Sequence, residues 1–290
     1  MPIAFQLHAT HDNAPDALPP PFDSAYIRGM DTEGLLEDAI HAARLGQGVH
    51  RYYQAKGFAT SSKTVISDLV TEADREAEAT IRNFLLGKHP DHAFLGEEDG
   101  AKGKSAFRWI VDPLDGTVNF AHGFPFYAVS VALEYQGEIV LGVVLDSVHD
   151  ELFAAIRGRG AFLNGARLRV SKTHEFKRSL LATGFPYDVD RVPLAVEYFR
   201  RVLAHGVPVR RPGAAALDLA YVAAGRIDGF WEMKLNPWDV AAGILLVEEA
   251  GGRVSNIQGQ PYRLGTPELV ATNGHIHSTL LQVLADAQAG

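Results

Sequence analysis

Trp109-Ile110-Val111-Asp112-Pro113-Leu114-Asp115-Gly116-Thr117-Val118-Asn119-Phe120 is the stretch from which the rest of the chain is best read. The short apolar run Phe107 to Val111 predicts a buried strand that delivers Asp112 at its C-terminal end. Pro113 has no amide proton and stops further ladder bonding. Asp115 follows three residues on, so a turn can aim both carboxylates into one pocket. Gly116 permits a positive φ or a close backbone approach. If a short helix begins there, the amides of Gly116, Thr117 and Val118 offer donors to an anion. Carboxylates for a hard cation then stand beside donors for a phosphate. Magnesium favours such a set: a few carboxylates, water and substrate oxygens. Taken alone, Asp-Pro-x-Asp-Gly fits an ordinary capped turn equally well.

Two more acidic segments accompany it. Gly96-Glu97-Glu98-Asp99 follows the apolar pair Phe94-Leu95, and Pro237-Trp238-Asp239-Val240-Ala241-Ala242-Gly243 opens an apolar run. Singly, Glu97-Glu98 reads as a solvated acidic loop and Asp239 as the N-cap of the following helix. Asp74 reads as a first-turn helix carboxylate, Glu232 as a strand-end surface charge and Lys63 as a solvated lysine.

Around these segments, hydrophobic periodicity predicts helices over Gly34–Tyr53 and Thr71–Leu86, with Thr71 as N-cap of the second. Strand pairs flank Gln136-Gly137 and Gly158-Arg159-Gly160, and the pattern continues through Arg167–Val170. Helices and strands then alternate: strands at Leu180–Thr183, Gly229–Glu232, Arg253–Ser255 and Leu269–Thr272, helices at Leu194–His205, Ala215–Ala224, Val240–Ala250 and Ser278–Ala287. The expected fold is layered α/β. Residues 1–28, with Pro15 and Pro19 to Pro21, read as a flexible extension. An N-terminal α+β part, 29–174, carries most of the acidic residues, and an α/β part, 175–290, follows.

Composition removes several function classes. The 290 residues contain no cysteine, which excludes disulfides, thiolate metal sites and a cysteine nucleophile. The net charge of -8, without a basic stripe, argues against nucleic-acid binding. No apolar stretch is long enough for a membrane span, and Met1–Asp23 lacks the pattern of a signal peptide, so a cytoplasmic location is expected. No G-x-S-x-G, Walker A or H-E-x-x-H motif occurs. His275 and His277 read as solvated.

Together the acidic segments closely resemble the inositol monophosphatase family. Both the W-I-V-D-P-L-D-G-T-V-N-F and the P-W-D-V-A-A-G runs match its signatures. Further agreement lies in Ser67–Asp74, Gly142-Val143-Val144, Gly160–Gly165 and Gly213–Leu217, so the resemblance covers roughly Asp31 to Leu284. It implies an alternating αβαβα sandwich, magnesium dependence with two to three ions per site, lithium sensitivity and a homodimer.

Residue by residue, the resemblance implies a first metal site at Glu97, Asp112 and the Leu114 carbonyl. A second would use Asp112, Asp115 and Asp239, and a third, weaker ion would lie near Glu97. Phosphate would meet the amides of Gly116 and Thr117. A metal-activated water, oriented by Thr117 and Asp74, would hydrolyse the ester directly. Asp115, Ala215, Glu232 and Asp239 fall at substrate-contacting positions, and Lys63 in a mobile active-site loop. The implied substrate is a small phosphate monoester, inositol-1-monophosphate first. Alternatives are fructose-1,6-bisphosphate, histidinol phosphate or another sugar or nucleotide phosphate. Val118-Asn119 lacks the basic residues of the adenosine bisphosphate and histidinol phosphate branches. Ala214 replaces a Ser or Thr common in relatives. A different class also stays open: a regulatory binding protein that contacts RNA polymerase or ribosomal factors.

Overall fold

The computed structural model describes residues 29–56, 60–62 and 69–285; the expected 1–28 extension and Lys63 lie outside them. Two long helices come first, α1 (Thr32–Lys56) and α2 (Glu72–Lys88), with the short antiparallel pair β1 (Thr60–Ser62) and β2 (Leu69–Thr71) between them. The main sheet holds β3 (Ala93–Gly96), β4 (Gly100–Lys102), β5 (Phe107–Asp115), β6 (Ala128–Tyr135), β7 (Glu138–Asp146), β8 (Glu151–Ile156), β9 (Gly160–Leu163) and β10 (Ala166–Arg167). A five-residue helix, α3 (Thr117–Ala121), follows β5 directly. The strand order is β10-β9-β8-β7-β6-β5-β3-β4, antiparallel except for the β3–β5 pair.

The second sheet is built from β11 (Leu181–Thr183), β12 (Val209–Arg210), β13 (Gly229–Met233), β14 (Arg253–Ser255) and β15 (Glu268–Thr272), in the order β12-β11-β13-β15-β14. Helices α4 (Val192–Ala204), α5 (Ala215–Ala223), α6 (Pro237–Glu249) and α7 (His277–Ala285) alternate with these strands. The expected strand at Arg167–Val170 shrinks to Ala166–Arg167: the Leu168 amide still bonds to the Ala161 carbonyl in line with the β9 pairing, but Val170 turns away to the carbonyl of Ala250.

Side-chain alternation along β5 divides the core. Trp109 and Val111 face α1 and α2, packing with Leu36, Ala43, Ile81 and Leu85. Ile110 faces the other way, into a cluster with Leu217, Leu219, Leu245 and Leu246 of α5 and α6 and with Phe230 and Ala271 of the second sheet. Tyr198 and Leu280, from α4 and α7, cover that sheet's far side against Trp231 and Val270. The result is five layers, αβαβα. The α5–α6 layer joins both sheets, so the apolar core runs unbroken past residue 174. Gly142 makes the close approach possible: a Cβ there would stand 2.8 Å from Ala242 Cα of α6.

Candidate active site

β5 does not end before Pro113, as the sequence reading expected, but runs to Asp115. Its pairing with β6 sets Asp112 opposite Ser130 and Asp115 opposite Ala128, with a register shift between. Three steps on one strand thus match two on the other, which is a one-residue bulge. In a regular strand, residues three apart face opposite sides of the sheet. Ser130 and Ala128 are two apart and share a face, so their partners Asp112 and Asp115 share it too. The backbone groups of Pro113 and Leu114 all find partners. Leu114 N–H donates to Asp112 Oδ1 (3.0 Å), the Leu114 carbonyl accepts from Thr117 Oγ1 (3.0 Å), and the Pro113 carbonyl accepts from His50 Nε2 (2.9 Å).

Parallel pairing places Gly96 of β3 beside Val111, so Glu97 and Asp112 leave adjacent strand ends at one level. Glu97 is exposed. Its turn is held from below by the buried Glu78 of α2, whose carboxylate accepts the amides of Glu98 (2.7 Å) and Asp99 (2.9 Å). Burial raises the Glu78 pKa, and those two amides oppose the rise. A Cβ on Gly96 would overlap that carboxylate. The sequence reading missed Glu78. The available signal was two acids, Asp74 and Glu78, on the apolar stripe of α2 that continues through Ile81 and Leu85.

Asp239 enters from the second half of the chain. It is not the N-cap of α6; Asn236 is, and Asp239 at the third helical position accepts the Asn236 amide at 2.7 Å. Ser130 Oγ donates to the Trp238 carbonyl at 3.3 Å, which ties this helix end to the strand position opposite Asp112. Asp115 caps α5 from a hundred residues away. It accepts the amides of Ala215 (3.1 Å) and Ala216 (2.8 Å), where the local N-cap, Ala214, has no side-chain oxygen. Gly116, at φ 90°, turns the chain into α3, and a Cβ there would lie 2.9 Å from the Phe126 carbonyl oxygen. Asn119 Nδ2 ties α3 to the Phe126 and Pro212 carbonyls at 2.8 and 2.9 Å. Asp74, buried in the first turn of α2, stands 3.5 Å from Thr117 Oγ1. That exceeds an ordinary O–H···O bond, so the hydroxyl proton points to Leu114 instead.

These carboxylates crowd one another. Burial, then the negative charges of Glu97, Asp115, Asp239 and Asp74, hold the Asp112 pKa well above the carboxylate range. Burial and Asp239 raise Asp115, against the amides of Ala216, Leu217 and Ala215. Burial also raises Asp239. Among the described residues, no three acidic or histidine side chains converge into one closed group. A backbone amide holds one carboxylate oxygen of each of Asp112, Asp115 and Asp239. The donor chemistry fits a hard divalent cation: buried oxygens of like charge, which folding tolerates when paired with positive charge.

Beside this cluster lies a second acidic group. Glu232 on β13 abuts Gly184, where a Cβ would overlap its carboxylate. Burial and Asp239 push Glu232 up to about 8, against the pull of Arg211. Asp218 of α5 is buried, and its Oδ1 has no hydrogen-bond partner among the described residues. Arg211 and Asp218 escaped the sequence reading, since neither sits in an acidic motif. His277, expected in solvent, is buried between Ser255 Oγ and Thr272 Oγ1, both at 2.9 Å, while His275 is exposed.

Comparison with known proteins agrees with this fold. The model of the inositol monophosphatase family matches residues 31–289. The chain belongs to that family. Among inositol monophosphatase relatives, the inositol-1-monophosphatase of Mesorhizobium japonicum is 49% identical over 261 residues, 88% of this chain and 97% of the relative. The Nus factor SuhB of Pseudomonas aeruginosa is 45% identical over 258 residues, 86% of this chain and 95% of the relative. The solved inositol monophosphatase from Anabaena superposes with a TM-score of 0.80 at 38% identity, covering 89% of this chain and 97% of that one. No helix among the described residues is long and apolar enough to cross a membrane.

Proposed function

We propose that this chain is a magnesium-dependent phosphatase of small phosphate monoesters, with inositol monophosphate as the leading substrate. The observation that carries the reading is the β5 bulge, which sets Asp112 and Asp115 on one face within reach of the charges of Glu97, Asp239 and Asp74. Glu97, Asp112, the Leu114 carbonyl, Asp115 and Asp239 are the groups that would hold two to three Mg²⁺. Bound there, the ions would neutralise phosphate charge and acidify a water. The first amides of α3 have no intrahelical acceptors, so those of Gly116 and Thr117 bind phosphate oxygens. Thr117 Oγ1 orients the attacking water, and with its proton turned from the Leu114 carbonyl to Asp74 it relays the water's proton to that carboxylate. Asp239 orients the water that protonates the leaving alkoxide. Asp115, Glu232 and the Ala215 backbone meet the substrate hydroxyls. Lithium inhibition, a homodimer and a cytoplasmic setting belong to the same reading.

The test is phosphate release across inositol, fructose, histidinol and nucleotide phosphates, with and without Mg²⁺. The expected result is a metal-dependent rate highest on inositol monophosphate and abolished by Asp112→Asn. A metal-independent rate refutes the mechanism, and rates within about tenfold across the panel refute the substrate preference. A second reading, a regulatory binding role, draws support from the relative named Nus factor SuhB. It predicts that Asp112→Asn loses phosphate release yet rescues the growth phenotype of a strain lacking the protein.

A further inference from the structure

The Pro113 carbonyl sits in the bulge, between the two paired positions of β5, where the ladder supplies no donor. A buried carbonyl left without one costs about 1–3 kcal/mol. His50 of α1 provides it, with Nε2 at 2.9 Å, while Nδ1 lies 2.8 Å from Ser147 Oγ. A carbonyl only accepts, so Nε2 carries the proton and Nδ1 accepts from the serine hydroxyl. The ring is fully buried and neutral near pH 7, since burial lowers its pKa to about 4. It rests against Phe120 and Tyr127, whose ring centres lie 5.6 and 5.9 Å away.

One turn further along α1, Gln54 Nε2 donates to the Phe120 carbonyl at 3.1 Å. Residues four apart share a helix face. His50 and Gln54 therefore grip the ligand-bearing segment at both ends, at Pro113 and at Phe120. Gln47, on the same face, anchors the strip to Asp150 at 3.0 Å. An ordinary amphipathic helix would be apolar here.

We propose that His50 is a positioning residue for the cation site: by holding the Pro113 carbonyl it fixes the bulge that aims Asp112 and the Leu114 carbonyl, and so sets the affinity for divalent cations. The inference rests on the assignment of those groups as ligands under the proposed function. Hydrogen bonds that orient ligands commonly tune metal affinity by about 10- to 100-fold.

The experiment is calorimetric titration of the full chain with Mn²⁺ alone, without substrate, on the wild type and on His50→Leu, His50→Gln and His50→Asn. A glutamine amide reaches the place of Nε2; an asparagine amide ends near Nδ1, short of Pro113. Saturable wild-type binding is expected, with Kd about tenfold weaker or more in the Leu and Asn variants and restored to within about threefold by Gln. Circular dichroism melts establish the folded fraction of each. Should the Leu variant not fold, the Gln and Asn variants, alike in chemistry, decide the matter. Equal affinities in wild type, Gln and Asn overturn the inference and leave the cation site standing, whereas absence of wild-type binding overturns both.

Discussion

Asp115→Asn should make the metal-free protein more stable while removing its response to magnesium. Burial and the Asp239 charge push the Asp115 pKa from 3.8 to about 7, even though backbone amides favour its ionised form. An acid whose folded pKa is raised binds more protons folded than unfolded, so stability falls as pH rises between those two values. At about 1.36 kcal/mol per pH unit, ionised Asp115 costs at most about 4 kcal/mol above pH 7. Asparagine removes that charge but offers one carbonyl oxygen to the two amides of Ala215 and Ala216, a loss of about 1 kcal/mol. The net gain at pH 8 is up to about 3 kcal/mol, and each kcal/mol raises Tm by about 2–4 °C in a chain of this order of size. At pH 4 the carboxyl is already protonated and the variant should lose its advantage. Wild type should gain about 2.7 kcal/mol from Mg²⁺ at a hundred times its Kd, and the variant nearly nothing. Thermal unfolding followed by circular dichroism, in EDTA and in Mg²⁺ at both pH values, reads all four states. A variant less stable than wild type in EDTA at pH 8, or equally stabilised by Mg²⁺, would show that the reasoning about crowded charge is wrong.

Gly116→Ala forces an alanine into φ 90° with its Cβ 2.9 Å from the Phe126 carbonyl. It should cost at least about 1–2 kcal/mol in chemical denaturation and reduce phosphate release more than tenfold in steady-state kinetics. Glu232→Gln should raise KM for inositol monophosphate by about tenfold, as expected for a lost polar contact of about 1.4 kcal/mol, and leave p-nitrophenyl phosphate hydrolysis within about twofold. An equal effect on both substrates would remove Glu232 from hydroxyl recognition. His50 and His277 both fall from 6.5 to about 4, so the unfolded chain takes up protons first and each withdraws at most about 3 kcal/mol of stability as pH drops through that window. His277→Gln should soften the acid unfolding midpoint measured by tryptophan fluorescence.

The sequence made the layered fold legible because its helices and strands carry clean periodicities, as in Leu36, Ala39 and Ala43 on α1 or Trp109 and Val111 on β5. It also pointed to Asp112, Asp115 and Gly116, whose order along five residues constrains what they can do. What it hid depends on pairing across distance. No local signal could say that β5 continues through Pro113, since the proline's missing donor matters only once the opposite strand is known. Asp115 as the cap of α5 was invisible for the same reason, with its partners at Ala215 and Ala216. Glu78 and His50 read as ordinary helix residues until their acceptors and donors, at Glu98, Asp99 and Pro113, were placed in space. Asp239 was legible as important and wrong in detail: Asn236, three residues earlier, starts the helix.

The long-range cap at Asp115 bears on the order in which a newly made chain matures. When the bulged strand leaves the ribosome, the amides that take up its carboxylate are still a hundred residues from synthesis, and Asp239 is later still. Domains of this size generally settle as units once their distant contacts exist. A nascent chain thus carries Asp112 and Asp115 before the amides of Ala215 and Ala216 and the charge of Asp239, which surround them in the finished fold, have been made.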